Sequence, residues 1–186
     1  MTEWRCPPIV SFVGCSGVGK TTFLSRLLPV LAARGYHTAV IKHSPGHDAR
    51  LARPACDTGK DTDRLYLAGA SIVVHATPGR IVTTERVGRE CTPQELAHNL
   101  SVPVDIVITE GYKHAGLPAI ELVRSALAIE LVADPATLVA LITDADVRRD
   151  FPQAPQVPIF ALDDATGVAD LLESRFSLRP GQLGTR

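Results

Sequence analysis

The sequence predicts an α/β fold with a mostly parallel, doubly wound sheet, and two observations lead to that prediction. Short apolar segments rich in Val and Ile alternate along the chain with segments whose apolar residues recur at helical spacing. This alternation is typical of parallel sheets, because each helix returns the chain to the edge where the next strand begins. The second observation is a glycine-rich turn that joins the first predicted strand to the first predicted helix.

The amino-terminal part of the chain contains the first predicted elements. Residues 8–13 form an apolar run that predicts a buried strand. The helix after it has one apolar face, formed by Phe23, Leu24, Leu27 and Leu28. It ends near Gly35, because glycine readily adopts the left-handed conformation that follows a helix. Residues 38–41 predict the second strand, and residues 44–59, rich in Pro, Gly, Asp and Arg, predict a mobile loop.

The next segment predicts a short helix and a hairpin. Residues 61–63 can cap a helix that runs to Ala70, and residues 71–74 predict another buried strand. After a turn at 77–79, residues 80–87 alternate between polar and apolar. That pattern favours an antiparallel hairpin arm over a parallel core strand.

The carboxyl-terminal half predicts the remaining elements of the sheet. Thr92 followed by Pro93 opens a short helix, because proline is preferred at the first helical position. Three further buried strands are predicted at 104–109, 119–123 and 138–142. A last strand at 158–161 and a closing helix over 168–176 follow. We expect one domain over residues 1–178, with a hairpin insertion at about 77–90 and a frayed tail at 179–186.

The turn after the first strand is a complete phosphate-loop motif, G-x4-G-K-S/T, from Gly14 to Thr21. Its glycines let successive backbone N–H groups point at a phosphate, and the following helix adds the positive end of its dipole. In such a loop Lys20 reaches the β- and γ-phosphate oxygens and the Thr21 hydroxyl binds Mg²⁺. The motif therefore predicts a P-loop NTPase-type sheet whose nucleotide contacts are Gly14, Cys15, Ser16, Gly17, Val18, Gly19, Lys20, Thr21 and Thr22.

Glu110 ends the most apolar strand after the phosphate loop, and Gly111 follows it at once. A carboxylate in this place holds Mg²⁺ in proteins with such a loop, usually through water. We predict that Thr21 and Glu110 are metal-side residues and that Lys20 and Glu110 are catalytic. A carboxylate that only caps a turn is the alternative. Asp105 lies at the start of the same strand, at the other edge of the sheet, and is interpreted as structural.

Polar side chains also crowd the start of the second predicted helix. Lys60, Asp61 and Arg64 would face the γ-phosphate there, with Asp61 holding a water molecule or the outer shell of the metal. This gives Asp61 catalytic and metal-side roles and makes Lys60 and Arg64 nucleotide contacts. A solvated first turn capped by Asp61 or Thr62 explains the spacing equally well.

Lys42 and His43 end the second predicted strand, beside the phosphate loop, and predict contacts with phosphate or substrate. A metal site is disfavoured, because His43, His47 and Cys56 do not have the spacing of a metal-binding motif. Five arginines are candidates to face an anionic ligand, although each alone is more often a solvated charge: Arg50, Arg53, Arg80, Arg86 and Arg89.

The base of the nucleotide is less clearly encoded. The guanine-reading signature N-K-x-D is absent from the sequence. Asp144 follows a predicted buried strand, however, and can accept hydrogen bonds from guanine N1–H and N2–H₂. We predict a degenerate guanine pocket formed by Asp144 and the backbone near 161–163. An exposed acid in a turn is an equally good interpretation.

Composition narrows the classes of function. The chain has 186 residues, of which 45% are hydrophobic and 21% charged, as in an ordinary globular protein. A net charge of −1 gives no general attraction to nucleic acid or to anionic membranes. No apolar run approaches the ~20 residues that span a bilayer. The four cysteines are scattered without a C-x-x-C pair, which is typical of reduced thiols. We therefore expect a cytoplasmic protein that binds neither nucleic acid nor membranes.

Four segments together resemble one family. G-C-S-G-V-G-K-T-T at 14–22, I-K-H at 41–43, G-K-D-T-D-R at 59–64 and T-E-G-Y-K-H at 109–114 are similar, in this order and spacing, to the molybdopterin-guanine dinucleotide biosynthesis protein B (MobB) family. The likeness runs from about residue 9 to residue 124 and continues more weakly towards the end. One departure is a longer loop, containing Pro and Arg, between His47 and Gly59.

The resemblance implies a homodimer that binds GTP with Mg²⁺, hydrolyses it slowly at most, and assists the guanylyltransferase that joins GMP to molybdopterin. Molybdopterin itself is then a candidate ligand. The resemblance also implies that Glu110 is the metal-side acid and that Lys60, Asp61 and Arg64 form a second polar motif. The predicted hairpin near 80–87 is the candidate dimer contact, because an exposed edge strand can pair with its twin.

Three function classes stay open at this point. The first is a GTP-binding accessory protein with weak hydrolase activity, and the second is a small-molecule kinase or ligase in which Lys42, Lys60 and Lys113 hold an acidic acceptor. The third is a scaffold in which GTP only orders the loops. Slow turnover is consistent with the lack of an obvious arginine finger or water-positioning Gln after the phosphate loop, although Arg64 or Lys113 can supply charge.

Overall fold

The computed structural model describes residues 6–44, 60–127 and 130–181. The strands in these ranges are β1 Ile9–Val13, β2 Thr38–Lys42, β3 Ile72–Thr77, β4 Arg80–Glu85, β5 Ile106–Glu110, β6 Ala119–Val123, β7 Leu138–Thr143 and β8 Ile159–Phe160. The helices are α1 Lys20–Ala33, α2 Lys60–Leu67, α3 Pro93–His98, α4 Val147–Asp150 and α5 Ala165–Phe176. Among the described helices, none combines the length and the apolar character that a membrane crossing requires.

Six strands form one parallel sheet in the order β2-β5-β1-β6-β7-β8. The mostly parallel α/β fold predicted from the sequence is therefore confirmed. Strand β1 lies between β5 and β6, so the loop that follows β1 has a strand end on each side of it. Strands β1, β5 and β6 are buried along their whole length, as expected when both faces of a parallel sheet are covered.

Helices α1 and α5 pack against each other on one face of this sheet. The apolar side chains of α1 that predicted this helix are in contact with the sheet, and the rings of Phe12 and Phe23 stack with centroids 6.1 Å apart. At the far end of α1, Arg34 forms ion pairs with Asp170 and Glu173 of α5, at 2.7 Å and 3.1 Å. This layer anchors α1, and with it the phosphate loop, to the sheet.

The opposite face is covered by α3 and by irregular segments of chain. Leu117 and Ala97 pack with the β1 and β5 side chains, and Phe151 and Ala133 pack near β6 and β7. Helix α3 begins where the sequence predicts. Thr92 Oγ1 accepts the Glu95 N–H at 3.2 Å, and Glu95 Oε2 accepts the Thr92 N–H at 2.9 Å.

Residues 60–91 form a compact unit of their own, separate in contacts from residues 6–43 and 92–181. Strands β3 and β4 pair antiparallel around a turn at Pro78 and Gly79, which confirms the predicted hairpin. The prediction of a buried core strand at 71–74 is wrong. A two-stranded sheet has only one face covered, so Val73 is buried whereas Ile72 and Val74 are 52% and 58% exposed.

Arg86 holds this second unit together. Its guanidinium lies over the Tyr66 ring, 3.9 Å from the centroid, and it donates hydrogen bonds to the backbone oxygens of Tyr66 and, at 3.1 Å, Ala70. One of the five arginines considered for an anionic ligand therefore has structural contacts. The expectation of a single domain over 1–178 stays a prediction, and most of the predicted loop at 44–59 lies outside the described residues.

Glu121 is a buried carboxyl in the middle of β6, only 1% exposed, and the sequence reasoning did not single it out. Its two oxygens accept the backbone N–H groups of Val132 at 2.7 Å and Ala133 at 2.9 Å. Burial raises the pKa of Glu121, and the two backbone hydrogen bonds oppose that shift. The carboxyl thus joins the segment before β7 to the centre of the sheet.

Glu121→Gln should change how stability depends on pH. The pKa of this carboxyl is higher in the folded chain than in the unfolded chain, where it has the ordinary value of 4.5. The free energy of unfolding therefore falls as the pH rises from 4.5 through the raised pKa. Only the wild type has this pH dependence, because Gln does not titrate. The NH₂ group of the introduced Gln cannot accept a hydrogen bond, so in the Glu121→Gln variant one backbone N–H is left unpaired, at a cost of about 1–3 kcal/mol. Urea unfolding at several pH values should show the wild type more stable at low pH and the difference narrowing as pH rises. A difference that is constant with pH would contradict this.

Candidate nucleotide-binding site

The loop of residues 14–19 leads from β1 directly into α1. Gly19 is the N-cap residue of α1, with φ at 105° in the left-handed region, and no side chain in the described part of the chain caps this helix end. The first turn also has no acidic residue. The N–H groups at this helix end and the positive end of the helix dipole are therefore available to an anionic ligand.

Lys20, the first residue of α1, folds back over the loop. Its Nζ donates hydrogen bonds to the carbonyl oxygens of Gly14 at 2.9 Å and Cys15 at 2.8 Å. Burial lowers the pKa of Lys20, and the neighbouring Glu110 charge opposes this. Both acceptors are neutral carbonyl oxygens. The anionic oxygens of a phosphate accept stronger hydrogen bonds, so a phosphate can replace these carbonyls as the partner of the ammonium.

Glu110 lies at the centre of a polar group that we call the Glu110 cluster, formed by Thr21, Lys42 and Glu110. Glu110 Oε1 accepts the Thr21 hydroxyl at 2.8 Å and the Lys42 ammonium at 3.2 Å. Lys42 Nζ also lies 3.4 Å from Thr21 Oγ1. The carboxylate is buried, and its Oε2 has no hydrogen-bond partner among the described residues. Three residues predicted for the site from separate segments are thus in contact.

Strand register explains why these residues meet. Glu110 is paired with Lys42 of β2 on one side and with Phe12 of β1 on the other. The Gly111 N–H donates to Phe12 O at 3.0 Å, and the His43 N–H donates to Glu110 O at 2.9 Å. The three parallel strands therefore end together, and their carboxyl ends lie beside the phosphate loop.

His43 lies next to the Glu110 cluster, with its ring stacked on that of Tyr112 at a centroid distance of 4.3 Å. Gly111, between Glu110 and Tyr112, has φ at 105°, and a Cβ there would lie 3.2 Å from the His43 Cβ. Close packing of the chain ends after β2 and β5 thus fixes the position of the imidazole.

Oxygen donors of the Glu110 cluster fit a magnesium ion. Mg²⁺ prefers hard oxygen ligands and usually keeps several waters, so one hydroxyl and one carboxylate beside a phosphate are a suitable set. Thr21 and Glu110 are the residues that would hold it. When bound, the ion neutralises charge on the phosphate oxygens.

Arg124 was missed by the sequence reasoning. It follows β6 immediately, and its Nε donates to the carbonyl oxygen of Val18 in the phosphate loop at 3.0 Å. The available signal was its place, since Arg124 is a cation directly after a buried strand.

Asp144, predicted for the base pocket, is held by Ser125, the residue after Arg124. Ser125 donates its N–H to Asp144 Oδ1 at 2.8 Å. That hydrogen bond is the main reason why the pKa of Asp144 is lowered. Asp144 thus lies at the same sheet edge as the loop.

Other predicted site residues have separate surroundings. Asp61 and Arg64 are strongly exposed at the start of α2, in the unit of residues 60–91, with a 3.8 Å ion pair that contributes little. Lys113 and His114 line a cavity of about 320 Å³ with Gly116, Val132, Ala133, Asp134 and Thr137. His47 and Cys56 lie outside the described residues, as do Arg50 and Arg53.

The fold and the site can be compared with known proteins. A family model described as "Molybdopterin guanine dinucleotide synthesis protein B" matches residues 9–144, which include the phosphate loop, Glu110 and Arg124. The chain belongs to this family. The resemblance inferred from four short motifs is therefore confirmed.

Relatives within the MobB family cover most of the chain. The molybdopterin-guanine dinucleotide biosynthesis adapter protein of Escherichia coli K12 is 32% identical over 171 residues, 89% of this chain and 91% of the relative. Its Haemophilus influenzae counterpart is 32% identical over 147 residues, 77% and 78% of the two chains. The crystal structure of Bacillus subtilis MobB is 27% identical with a TM-score of 0.68, covering 91% of this chain and 98% of that one.

Proposed function

We propose that this chain is a cytoplasmic, GTP-binding adapter of molybdenum-cofactor biosynthesis, with slow GTPase activity, that assists a guanylyltransferase in attaching GMP to molybdopterin. The names of its relatives support the biosynthetic setting. The observation that carries nucleotide binding is the Glu110 cluster, which lies beside the amino end of α1, where the N-cap residue is Gly19.

Each residue of the site has a defined part in binding. The loop N–H groups and Lys20 hold the β- and γ-phosphates, with Lys20 exchanging its hydrogen bonds to Gly14 and Cys15 for phosphate oxygens. Thr21 and Glu110 would hold Mg²⁺. Lys42 keeps the Glu110 carboxylate in place and lowers the local negative charge.

The same contacts favour slow turnover. Thr21 and Lys42 both donate to Oε1 of Glu110, and we assign this carboxylate to metal binding rather than to the role of a general base for water. The contacts also weaken the kinase or ligase alternative. Lys42 is one of the three lysines that would hold an acidic acceptor, and it is paired with Glu110.

Titration with GTP and with ATP, in Mg²⁺ and by calorimetry, tests this proposal. We expect GTP to bind at least tenfold more tightly, a difference of about 1.4 kcal/mol. Asp144→Asn should reduce the preference, because the amide keeps an acceptor for Ser125 but replaces the carboxylate that pairs with guanine. Equal affinity for GTP and ATP in the wild type would reject the guanylylation role and favour the kinase or ligase.

Glu110→Gln should weaken GTP binding in Mg²⁺ more than in EDTA. The amide loses the anionic charge that holds the metal, so we expect a loss of roughly tenfold or more in Mg²⁺ and little change in EDTA. Glu95→Gln is the matched control, because it makes the same chemical change in the α3 capping box, where Gln is accepted. Equal losses in both buffers would show that Glu110 is structural.

We further propose that the chain is a homodimer that associates through the hairpin. The uncovered face of β3 and β4 carries Ile72, Val74 and Ala76 beside Ile81, which is 72% exposed. Ile81→Lys should therefore yield a monomer in size-exclusion chromatography with light scattering, because it buries an unpaired charge in the contact. Thr77→Lys adds the same charge on the other face and should leave the dimer intact. A wild type that is monomeric at every concentration tested would reject the proposal.

A further inference from the structure

Arg124 lies at the phosphate loop, on the side away from the Glu110 cluster. Strand β1 has β5 on one side and β6 on the other. Glu110 ends β5, and Arg124 follows the end of β6. A carboxylate and a guanidinium therefore flank the loop from opposite sides.

The Arg124 guanidinium lies beside Gly19, on the side where a side chain at that position would project. A Cβ built on Gly19 would have only Arg124 atoms within 4 Å among the described residues, NH2 at 3.5 Å and Nε at 3.8 Å. Gly19 caps the amino end of α1, so the cation lies where the helix dipole is positive. A positive charge at this helix end is unfavourable without an anion, and Lys20 adds to the same field.

Hydrogen bonding leaves the outer part of Arg124 available. Its Nε is used on Val18 O, which fixes the plane of the guanidinium against the loop. Neither terminal nitrogen has a hydrogen-bond partner in the described part of the chain. Two parallel N–H donors in a fixed plane are well suited to the oxygens of a phosphate.

Position along the sheet edge indicates which phosphate is contacted. Magnesium on the Glu110 side would neutralise the β- and γ-phosphate oxygens there. Arg124 lies on the other side, next to Ser125, which is hydrogen-bonded to Asp144 of the candidate base pocket. The guanidinium thus stands between the loop and the place proposed for the nucleoside.

We propose that Arg124 is a nucleotide-binding residue that contacts the α- and β-phosphates on the metal-free side of the loop. The inference rests on the proposed nucleotide function and adds a contact that the phosphate-loop motif does not contain. Two consequences distinguish it from a γ-phosphate contact. Arg124 contributes equally to binding of GDP and GTP, and its contribution does not require Mg²⁺.

Binding of fluorescent N-methylanthraniloyl GDP and GTP, in Mg²⁺ and in EDTA, tests the inference. Arg124→Gln should weaken all four affinities by a similar factor, roughly 10- to 100-fold for a lost charge-assisted contact. Arg124→Lys keeps the charge and should recover part of the loss. Arg34→Gln is the control: it removes an arginine and two ion pairs at the far end of α1, so it should lower the unfolding temperature without changing affinity.

Several outcomes would overturn the inference. One is unchanged affinity in Arg124→Gln, and another is a loss confined to GTP in Mg²⁺. Equal losses in Arg124→Lys and Arg124→Gln would also do so, because they would mean that only the Val18 contact matters. Lys20→Ala separates these results from the proposed function: if that variant binds both nucleotides normally, the nucleotide site itself is elsewhere. Arg124→Lys carries the test if Arg124→Gln does not fold.

Discussion

Lys20→Ala should abolish measurable GTP binding while the folded structure persists. The Lys20 ammonium donates hydrogen bonds to two loop carbonyls and, within the described residues, to no side chain of the core. Burial lowers the pKa of Lys20, which means that the folded chain holds the charged amine at some expense. In the proposed complex we expect the same group to make charge-assisted hydrogen bonds to phosphate, each contributing about 1.5–3 kcal/mol. Loss of two such bonds weakens binding on the order of 100-fold or more.

Calorimetric titration with GTP and thermal unfolding without ligand measure the two parts of this result. The variant should unfold within a few degrees of the wild type, because the Glu110 carboxylate keeps Lys42 as its cationic partner. Arg34→Ala is the matched control and should show the reverse pattern of lower stability and normal binding. Normal GTP affinity in Lys20→Ala, together with normal unfolding, would refute the phosphate-loop site.

Gly14→Ala should impair both folding and nucleotide binding. Gly14 has φ at 135°, and a Cβ there would lie 2.4 Å from the Leu122 carbonyl oxygen and 3.2 Å from Val18 Cγ1. The Leu122 oxygen belongs to the backbone of β6 beside β1, so it cannot rotate away as a side chain would. Backbone strain and overpacking each cost about 1–3 kcal/mol. We therefore expect the free energy of unfolding to fall by at least about 2 kcal/mol, with a displaced loop.

Gly17→Ala separates the close contact from the backbone conformation. Gly17 also has a positive φ, 76°, but a Cβ there would meet no atom of the described residues within 4 Å. In Gly17→Ala the free energy of unfolding should therefore fall only by the cost of placing Ala in the left-handed conformation, about 1–2 kcal/mol. Urea unfolding of the two variants makes the comparison. A Gly14→Ala variant no less stable than Gly17→Ala would contradict the tight approach of the loop to β6.

Local patterns in the sequence were sufficient for the parts of the site that are contiguous. The phosphate loop is one uninterrupted segment, and its glycines and Lys20 act through backbone geometry close by in the chain. Glu110 and Lys42 were also predicted for the site, because the carboxyl ends of parallel strands meet at one edge, and the structure has them in contact. The roles proposed for Lys60, Asp61 and Arg64 stay predictions.

Two residues with distant partners, Arg124 and Glu121, were not predicted from the sequence. Arg124 contacts Val18, 106 positions earlier, and nothing in the neighbourhood of either residue indicates the pairing. Glu121 interrupts an apolar strand, but the backbone N–H groups that it accepts belong to Val132 and Ala133. The sequence does not indicate that their segment packs against β6. The strand near 71–74 was placed in the core for a related reason. Apolar composition indicates a strand without indicating which sheet contains it.

The sequence thus determined the α/β class, the nucleotide loop and the carboxylate that ends its neighbouring strand. The tertiary structure decided that β1 lies between β5 and β6, and therefore that Glu110 and Arg124 flank the loop from opposite sides. The physical reason is the range of the interactions. Helix starts and glycine turns depend on residues a few positions apart, whereas strand order depends on burying apolar surface from the whole chain at once.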